Sequence, residues 1–320
     1  MIRVFSNAHF RFLELRRRAY VISAVLIVVG LASMLVRGGF NAGVEFTGGT
    51  MLQVRFDEPT TVAEIRDVLN TAGISGEQIQ PLRSGLGEAG EAGPEFLLRI
   101  PTDREEGLEG VREMVESGLS TGFGAEGFEI RQTEGIGPRV GSELRTKAIL
   151  ALGLSFLLTL IYLAFRFEWR FGFAAVLATM HDLVITFGFI SLLNIEISLA
   201  TVAALLTIVG YSLNDTIVVF DRVRENLKKK RKERYEETLD RSINETLPRT
   251  VLTSTTTLVA LVSLFVLGGA VIRPFALVLI LGVMIGTYSS IFVASPALLE
   301  IHRRARSRAA AAAKAGHATG

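Results

Sequence analysis

The chain has 320 residues, of which 49% are hydrophobic, and a mean hydropathy of +0.40. That hydropathy excludes an ordinary soluble enzyme, and 34 Lys+Arg against 32 Asp+Glu exclude a uniformly apolar chain, so polar and apolar residues must be segregated. The absence of Cys removes disulfides, thiolate nucleophiles and Cys-based metal sites.

Residues 1–18 carry Arg3, Arg11, Arg16, Arg17 and Arg18. The apolar stretch Ala19–Val36 follows. Its length and the lack of a clear small-residue cleavage site predict an uncleaved anchor, with the first membrane span over 19–37. Residues 38–143 then form a polar insert with eight Arg, no Lys and nineteen Asp+Glu, a net charge of −11. Within it, Phe46–Phe56 alternates Met51, Gln53 and Arg55 against Leu52, Val54 and Phe56, which predicts a strand. Val62, Ile65, Val68 and Leu69 recur at helical spacing behind a Thr60 or Thr61 cap, which predicts a helix over Thr61–Ala72. Glu77–Leu82 and Glu95–Ile100 read as short strands, Asp103–Leu119 as an amphipathic helix, and Phe128–Gln132 as a final strand. The order βαββαβ is that of a ferredoxin-like α+β sandwich. The Gly- and Glu-rich stretch Ser84–Pro94 predicts a mobile loop, and Gly48–Gly49 and Gly137-Pro138 with Gly141 predict hinges at the two ends of the insert. The insert has no His or tight acidic cluster, so it reads as a binding or lever module rather than an enzyme.

Residues 144–299 hold five more apolar stretches: Ala148–Phe165, Phe171–Leu193, Ile197–Phe220, Val251–Leu267 and Pro274–Leu299. Each approaches the ~20 residues a transmembrane helix needs. Asn194–Glu196 is short enough to demand a helical hairpin. The basic loop 222–248, with its run Lys228–Lys232, is expected to lie on the anionic inner leaflet as an amphipathic helix. A nucleic-acid partner is not expected, because no aromatic interleaving or recognition fold accompanies the basic residues. The basic, Ala-rich tail 300–320 reads as disordered. Flanks on one side of the spans carry 22 Lys+Arg and the opposite short connections carry one, so both termini are expected in the cytoplasm and residues 38–143 outside it.

Ionisable groups at membrane depth are costly and mark functional candidates. Asp215 is the sharpest, in the fourth span, with Asn214 beside it and Tyr211 one turn before. Its expected partner is Arg249, at the start of the fifth span, followed by Thr253 and Thr257 on one face. A carboxylate facing an Arg and hydroxyls can gain and lose charge as helices move, which suits H⁺, or Na⁺, as a coupling ion. Thr hydroxyls bonding their own helix carbonyls account for part of that face. His181 and Asp182, in the third span, are expected as a supporting shell with Tyr211 and Ser212, or as an interhelical lock. No cofactor, metal site, nucleophile–base arrangement or phosphate loop is found, so no enzyme activity is expected.

Four stretches carry a resemblance: Phe46-Thr47-Gly48-Gly49, Ile136-Gly137-Pro138-Arg139-Val140-Gly141, Val209 to Glu225, and Ser242 to Thr250. In these stretches, their order and the one-insert, six-helix layout, the chain resembles the SecF branch of the SecD/SecF family, half-size members of the RND superfamily in the bacterial inner membrane. The resemblance implies a subunit of the Sec protein-export machinery. It would pair with SecD, work with the SecYEG channel and YajC, and use the ion gradient to draw unfolded polypeptide outward. It also maps the family's intramembrane Asp and Arg onto Asp215 and Arg249. Alternatives are an RND-type small-molecule or lipid exporter, which the small outer domain disfavours, and a non-transporting membrane scaffold.

Overall fold

The structure is a computed structural model that describes residues 9–74, 77–82, 93–100, 108–229 and 233–318. Six of its helices are long and apolar enough to cross a membrane. A small α+β unit is inserted between the first two of them.

The insert is built from local signals. Strand β1 (Gly49–Phe56) pairs antiparallel with both β3 (Glu95–Ile100) and β4 (Phe128–Ile136), and β2 (Gln78–Leu82) adds to β3. The sheet order β2-β3-β1-β4 is that of a split-βαβ, ferredoxin-like unit. Helices α3 (Val62–Thr71) and α4 (Leu108–Phe123) cover one face. There Leu52, Val54 and Phe56 meet Ile65, Leu69, Val115 and Leu119 in a closed apolar core. The alternate residues, Met51, Gln53 and Arg99 among them, point to the opposite face. Thr61 is the cap of α3: its hydroxyl accepts from the Glu64 N–H, and the Glu64 carboxylate accepts from the Thr61 N–H at 2.7 Å.

Three boundaries differ from expectation, one of them the end of α4, which runs four residues past Leu119 to Phe123. Residues Val44–Thr47 form a single helical turn, α2, rather than the start of β1, because Phe46 and Thr47 donate to the Gly43 carbonyl. Strand β4 runs four residues further, to Ile136, because β1 supplies partners along its whole length. Most of Ser84–Pro94 and the expected start of α4 lie outside the described residues.

The membrane helices are α1 (Arg16–Val36), α5 (Pro138–Arg166), α6 (Trp169–Leu192), α7 (Leu199–Lys229), α8 (Tyr235–Leu267) and α9 (Gly269–Ser289). The last continues through a π-helical turn at Ser290–Ala294 into α10 (Ser295–Ala318). Helices α6, α7 and α9 form the centre, whereas α5 and α8 leave most of their apolar surface bare. Small residues allow the closest approaches: Gly30 of α1 meets Gly188 of α6 backbone to backbone, and Ser33 bonds Ser191 at 3.0 Å one turn away.

The basic segment 222–248 is not a separate helix lying on a surface. Helix α7, to Lys229, and helix α8, from Tyr235, extend into it as a paired stalk. Arg222 donates to Glu245 at 2.6 Å, and Asn226 donates to Ser242 at 3.0 Å and to Glu245 at 2.6 Å. Arg241 pairs with Glu233. These pairings join the two helices through part of the segment's charge, and residues 230–232 of its basic run lie outside the described residues. The tail expected to be disordered is helical to Ala318. It is pinned where His302 stacks on Tyr235, with ring centroids 3.9 Å apart, and Arg303 pairs with Glu236. The N-terminal segment also docks here, with the Phe10 N–H donating to Asn244 and the Leu13 N–H to Asp240.

Because the chain has no native Cys, Ser33→Cys with Ser191→Cys should form a disulfide efficiently under mild oxidation. Adding Gly188→Val should reduce that cross-link several-fold, since a Cβ at 188 would lie 2.8 Å from the Gly30 Cα and push the helices apart. Gel mobility reads both outcomes.

Candidate functional site

Helix α7 carries Asp215 to a buried position, 3% exposed. Its neighbours are apolar or already committed: Thr216 bonds the carbonyl of Ser212, and Leu213 and Val219 belong to the core. Asp215 Oδ2 has no hydrogen-bond partner among the described residues. Arg249 is exposed on α8, and no ion pair joins the two among the described residues. The field of Arg249 reaches Asp215, but the guanidinium does not contact the carboxylate. The expected direct link is therefore absent in this conformation: the carboxylate is buried on α7 and the guanidinium is exposed on α8.

The other expected site residues divide. The Tyr211 hydroxyl donates to Thr257 at 3.4 Å and so ties α7 to α8. Thr253 turns back to the carbonyls of Arg249 and Thr250, the local bonding that membrane Thr often adopts. Asn214 is exposed on α7, away from Asp215. Thr250, which the sequence reading did not single out, is buried with its hydroxyl unpartnered among the described residues.

His181 and Asp182 stand at the centre of a polar cluster rather than at its margin. Asp182 is completely buried on α6. Its Oδ2 accepts from Ser212 of α7 at 2.5 Å and from Ser289 of α9 at 2.6 Å, and its Oδ1 lies 2.9 Å from His181 Nδ1. His181 Nε2 is 2.9 Å from the Ser23 hydroxyl of α1. Ser23, Tyr288 and Ser289 were missed by sequence reasoning. The run Thr287-Tyr288-Ser289-Ser290 inside an apolar span was the signal available for the last two.

On the side of the bundle that bears the α+β unit, the glycines expected as hinges form one knot. Gly48 and Gly49 take φ of 79° and 148°, which side chains rarely adopt. Gly141 of α5 sits so close that a Cβ there would lie 2.9 Å from the Gly48 nitrogen. Gly137 precedes Pro138, the first residue of α5, in an ordinary extended conformation. The two ends of the insert thus pack directly against each other.

A second junction holds the unit to the bundle. Residues 41–43 pair with the α6–α7 connection, with the Gly43 N–H donating to the Ile197 carbonyl at 2.9 Å and the Ile197 N–H to Asn41 at 2.8 Å. Arg99, on the open face of the sheet, pairs with the buried Glu196 of that connection. Burial pushes the Arg99 guanidinium pKa down, and the nearby Glu45 charge opposes this. These groups line a cavity of about 350 Å³ between the sheet and the bundle. The helix that carries Asp215 therefore begins at the residues that grip the domain.

The comparisons with known proteins accord with this layout. The family model described as "Protein export membrane protein SecD/SecF, C-terminal" matches residues 119–304, and the "SecD/SecF GG Motif" matches residues 33–60. The chain belongs to the SecD/SecF family. Among its relatives, the protein translocase subunit SecF of Gemmatimonas aurantiaca is 48% identical over 95% of this chain and 90% of its own length. That of Vibrio alginolyticus is 42% identical over 91% of this chain and 89% of its own. The crystal structure of SecDF, a translocon-associated membrane protein from Thermus thermophilus, superposes with a TM-score of 0.79 at 38% identity over 93% of this chain. A structure of SecDF in a super-membrane-facing form gives 0.70 over 98%. This SecD/SecF chain is a multi-pass membrane protein, and it spans about two fifths of the length of those SecDF chains.

Glu196→Ala should loosen the domain. Leaving Arg99 buried without its direct partner costs about 3 kcal/mol, the lower end of the range for a broken buried pair because Glu45 remains nearby. Hydrogen exchange at the Gly43 and Ile197 amides should accelerate at least tenfold, and unchanged exchange would show that the ion pair is not what holds this junction.

Proposed function

We propose that the chain is an ion-coupled auxiliary subunit of Sec protein translocation, paired with SecD and working beside the SecYEG channel. The observation that carries this is Asp215: a buried carboxylate with an unpartnered oxygen, on the membrane helix whose other end grips the α+β unit. A buried carboxylate that lacks a partner is costly, so it favours taking up a proton or a cation, or moving to meet Arg249. Charge change at Asp215 would then bias the position of α7, and α7 would carry the domain with it through Ile197 and Glu196.

The bundle itself is incomplete. Helix α8 presents Arg249, Thr255 and Thr256 on a surface that is otherwise apolar and bare. A lipid-facing Arg is unfavourable at depth, so this face fits another membrane protein. A second six-helix half, supplied by SecD, would cover it, as expected for a chain that matches two fifths of the SecDF structures. The distribution of 22 Lys+Arg supports a stalk and described chain ends in the cytoplasm and an α+β unit on the outer side of the inner membrane. The coupling ion is H⁺ or Na⁺, and the cargo is unfolded polypeptide.

Reconstitution of the chain with SecD and SecYEG tests the reading. Asp215→Asn should abolish gradient-driven translocation, by tenfold or more, while the complex still assembles. Arg249→Met should do the same. Full translocation by both variants would leave only a scaffold role, and transport of lipophilic compounds in place of polypeptide would favour an exporter. Imposing H⁺ and Na⁺ gradients separately identifies the ion.

A further inference from the structure

The scheme above does not use the cluster at His181, and its hydrogen-bond inventory has an unusual property. The Tyr288 hydroxyl donates to the Ala19 carbonyl at 2.8 Å, which commits its single proton. Its oxygen, 3.2 Å from Ser23 Oγ, is then left as an acceptor. Ser23 therefore has two acceptors within reach, Tyr288 Oη and His181 Nε2, and one proton to give. With neutral His181, Nδ1–H donates to Asp182 and Nε2 accepts from Ser23. With charged His181, Nε2–H donates to the Ser23 oxygen, and the Ser23 proton turns to Tyr288. Both charge states are fully bonded, and one hydroxyl rotation separates them.

We propose that His181 is a proton-binding site of this chain, with Asp182 as its fixed counter-ion and the Ser23 hydroxyl as the switch between its two charge states. Uptake places one proton on Nε2 and takes the His181–Asp182 pair from a net charge of −1 to zero. Release returns that proton and reverses the Ser23 rotation. No other atom changes bonding. A purely structural lock needs one bonding pattern, and this cluster holds two.

The surroundings suit such a site. Side chains meet it from three other helices: Ser23 from α1, Ser212 from α7, and Tyr288 and Ser289 from α9. Among the described residues no Lys or Arg forms an ion pair with Asp182. The titratable group packed against the pair is Tyr288, and Asp215 follows Ser212 by one turn on α7. Gly286 lets α9 approach the Ser212 backbone, which brings Ser289 within reach of Asp182. The π-helical turn follows at Ser290, a distortion often found at functional sites. Because Ser212 bonds Asp182 and precedes Asp215 by one turn, a change of charge at His181 is felt on the helix that carries Asp215.

This inference rests on the ion-coupled reading for its purpose but not for its test. His181→Gln retains a donor and an acceptor yet cannot be protonated. Nitrogen-15 NMR of the purified full chain, which has four His, assigns the His181 signal by its loss in that variant. The signal should move between two charge states as pH is varied over the range in which the chain stays folded. Asp182→Asn should shift its midpoint. A His181 signal in one charge state across that range overturns the proposal. In liposomes holding the chain with SecD, His181→Gln should lower H⁺ flux at least tenfold and flatten its pH profile. Flux abolished by Asp215→Asn but unchanged by His181→Gln overturns a role in coupling while leaving the Asp215 reading intact. Flux that survives Asp215→Asn sinks that reading and leaves the NMR titration to decide this one.

Discussion

A charge inside an apolar bundle must be satisfied by the protein, because lipid offers no hydrogen bonds. The two buried carboxylates answer that constraint in opposite ways. Asp182 accepts from Ser212 and Ser289 and lies within bonding distance of His181, so α6, α7 and α9 are held together around it, and Ser23 brings in α1. Asp215, one turn from Ser212, has an oxygen with no partner among the described residues. A satisfied charge fixes a structure, and an unsatisfied one favours leaving the conformation it is in. Ser212 bonds Asp182 and precedes Asp215 by one turn, so a fully bonded carboxylate and one with an open oxygen meet on the same helix.

The connection to the α+β unit has the same economy. The Gly48–Gly141 contact locks the two chain ends of the insert, and the pairing of residues 41–43 with Ile197 ties them to the start of α7. Arg99 adds an ion pair from the sheet itself. The start of α7 and the base of the domain are thereby joined by direct backbone hydrogen bonds and an ion pair. On the opposite side, the α7–α8 stalk, the N-terminal segment and α10 are bound together by ion pairs and side-chain caps. Helix α7 is thus held at both ends, with Asp215, whose Oδ2 has no partner among the described residues, between them.

Much of this was legible in the sequence, and some was not. The βαββαβ order followed from alternation in β1 and from the spacing of Ile65 and Leu69, signals that need only a few neighbouring residues. Asp215 stood out because a carboxylate in an apolar run is conspicuous by itself. Ser23 did not, because a single Ser in a membrane helix usually bonds its own backbone. Its importance depends on His181, 158 residues away. The basic loop differed for a related reason: its pairing of α7 with α8 depends on Arg222 and Asn226 meeting Ser242 and Glu245, about twenty residues away.

The sequence by itself determined the six spans, the segregation of charge to either side of them, the ferredoxin-like insert and the presence of an acid in the fourth span. All of these are sums over short windows, and hydropathy and periodicity are additive along a chain. Only the tertiary structure decided that Asp215 stands apart from Arg249 while Asp182 gathers hydroxyls from two neighbouring helices. That outcome depends on how each helix is rotated and how near it can come. Both are set by contacts between distant small residues, such as Gly30 with Gly188 and Gly286 with Ser212, which no local window contains.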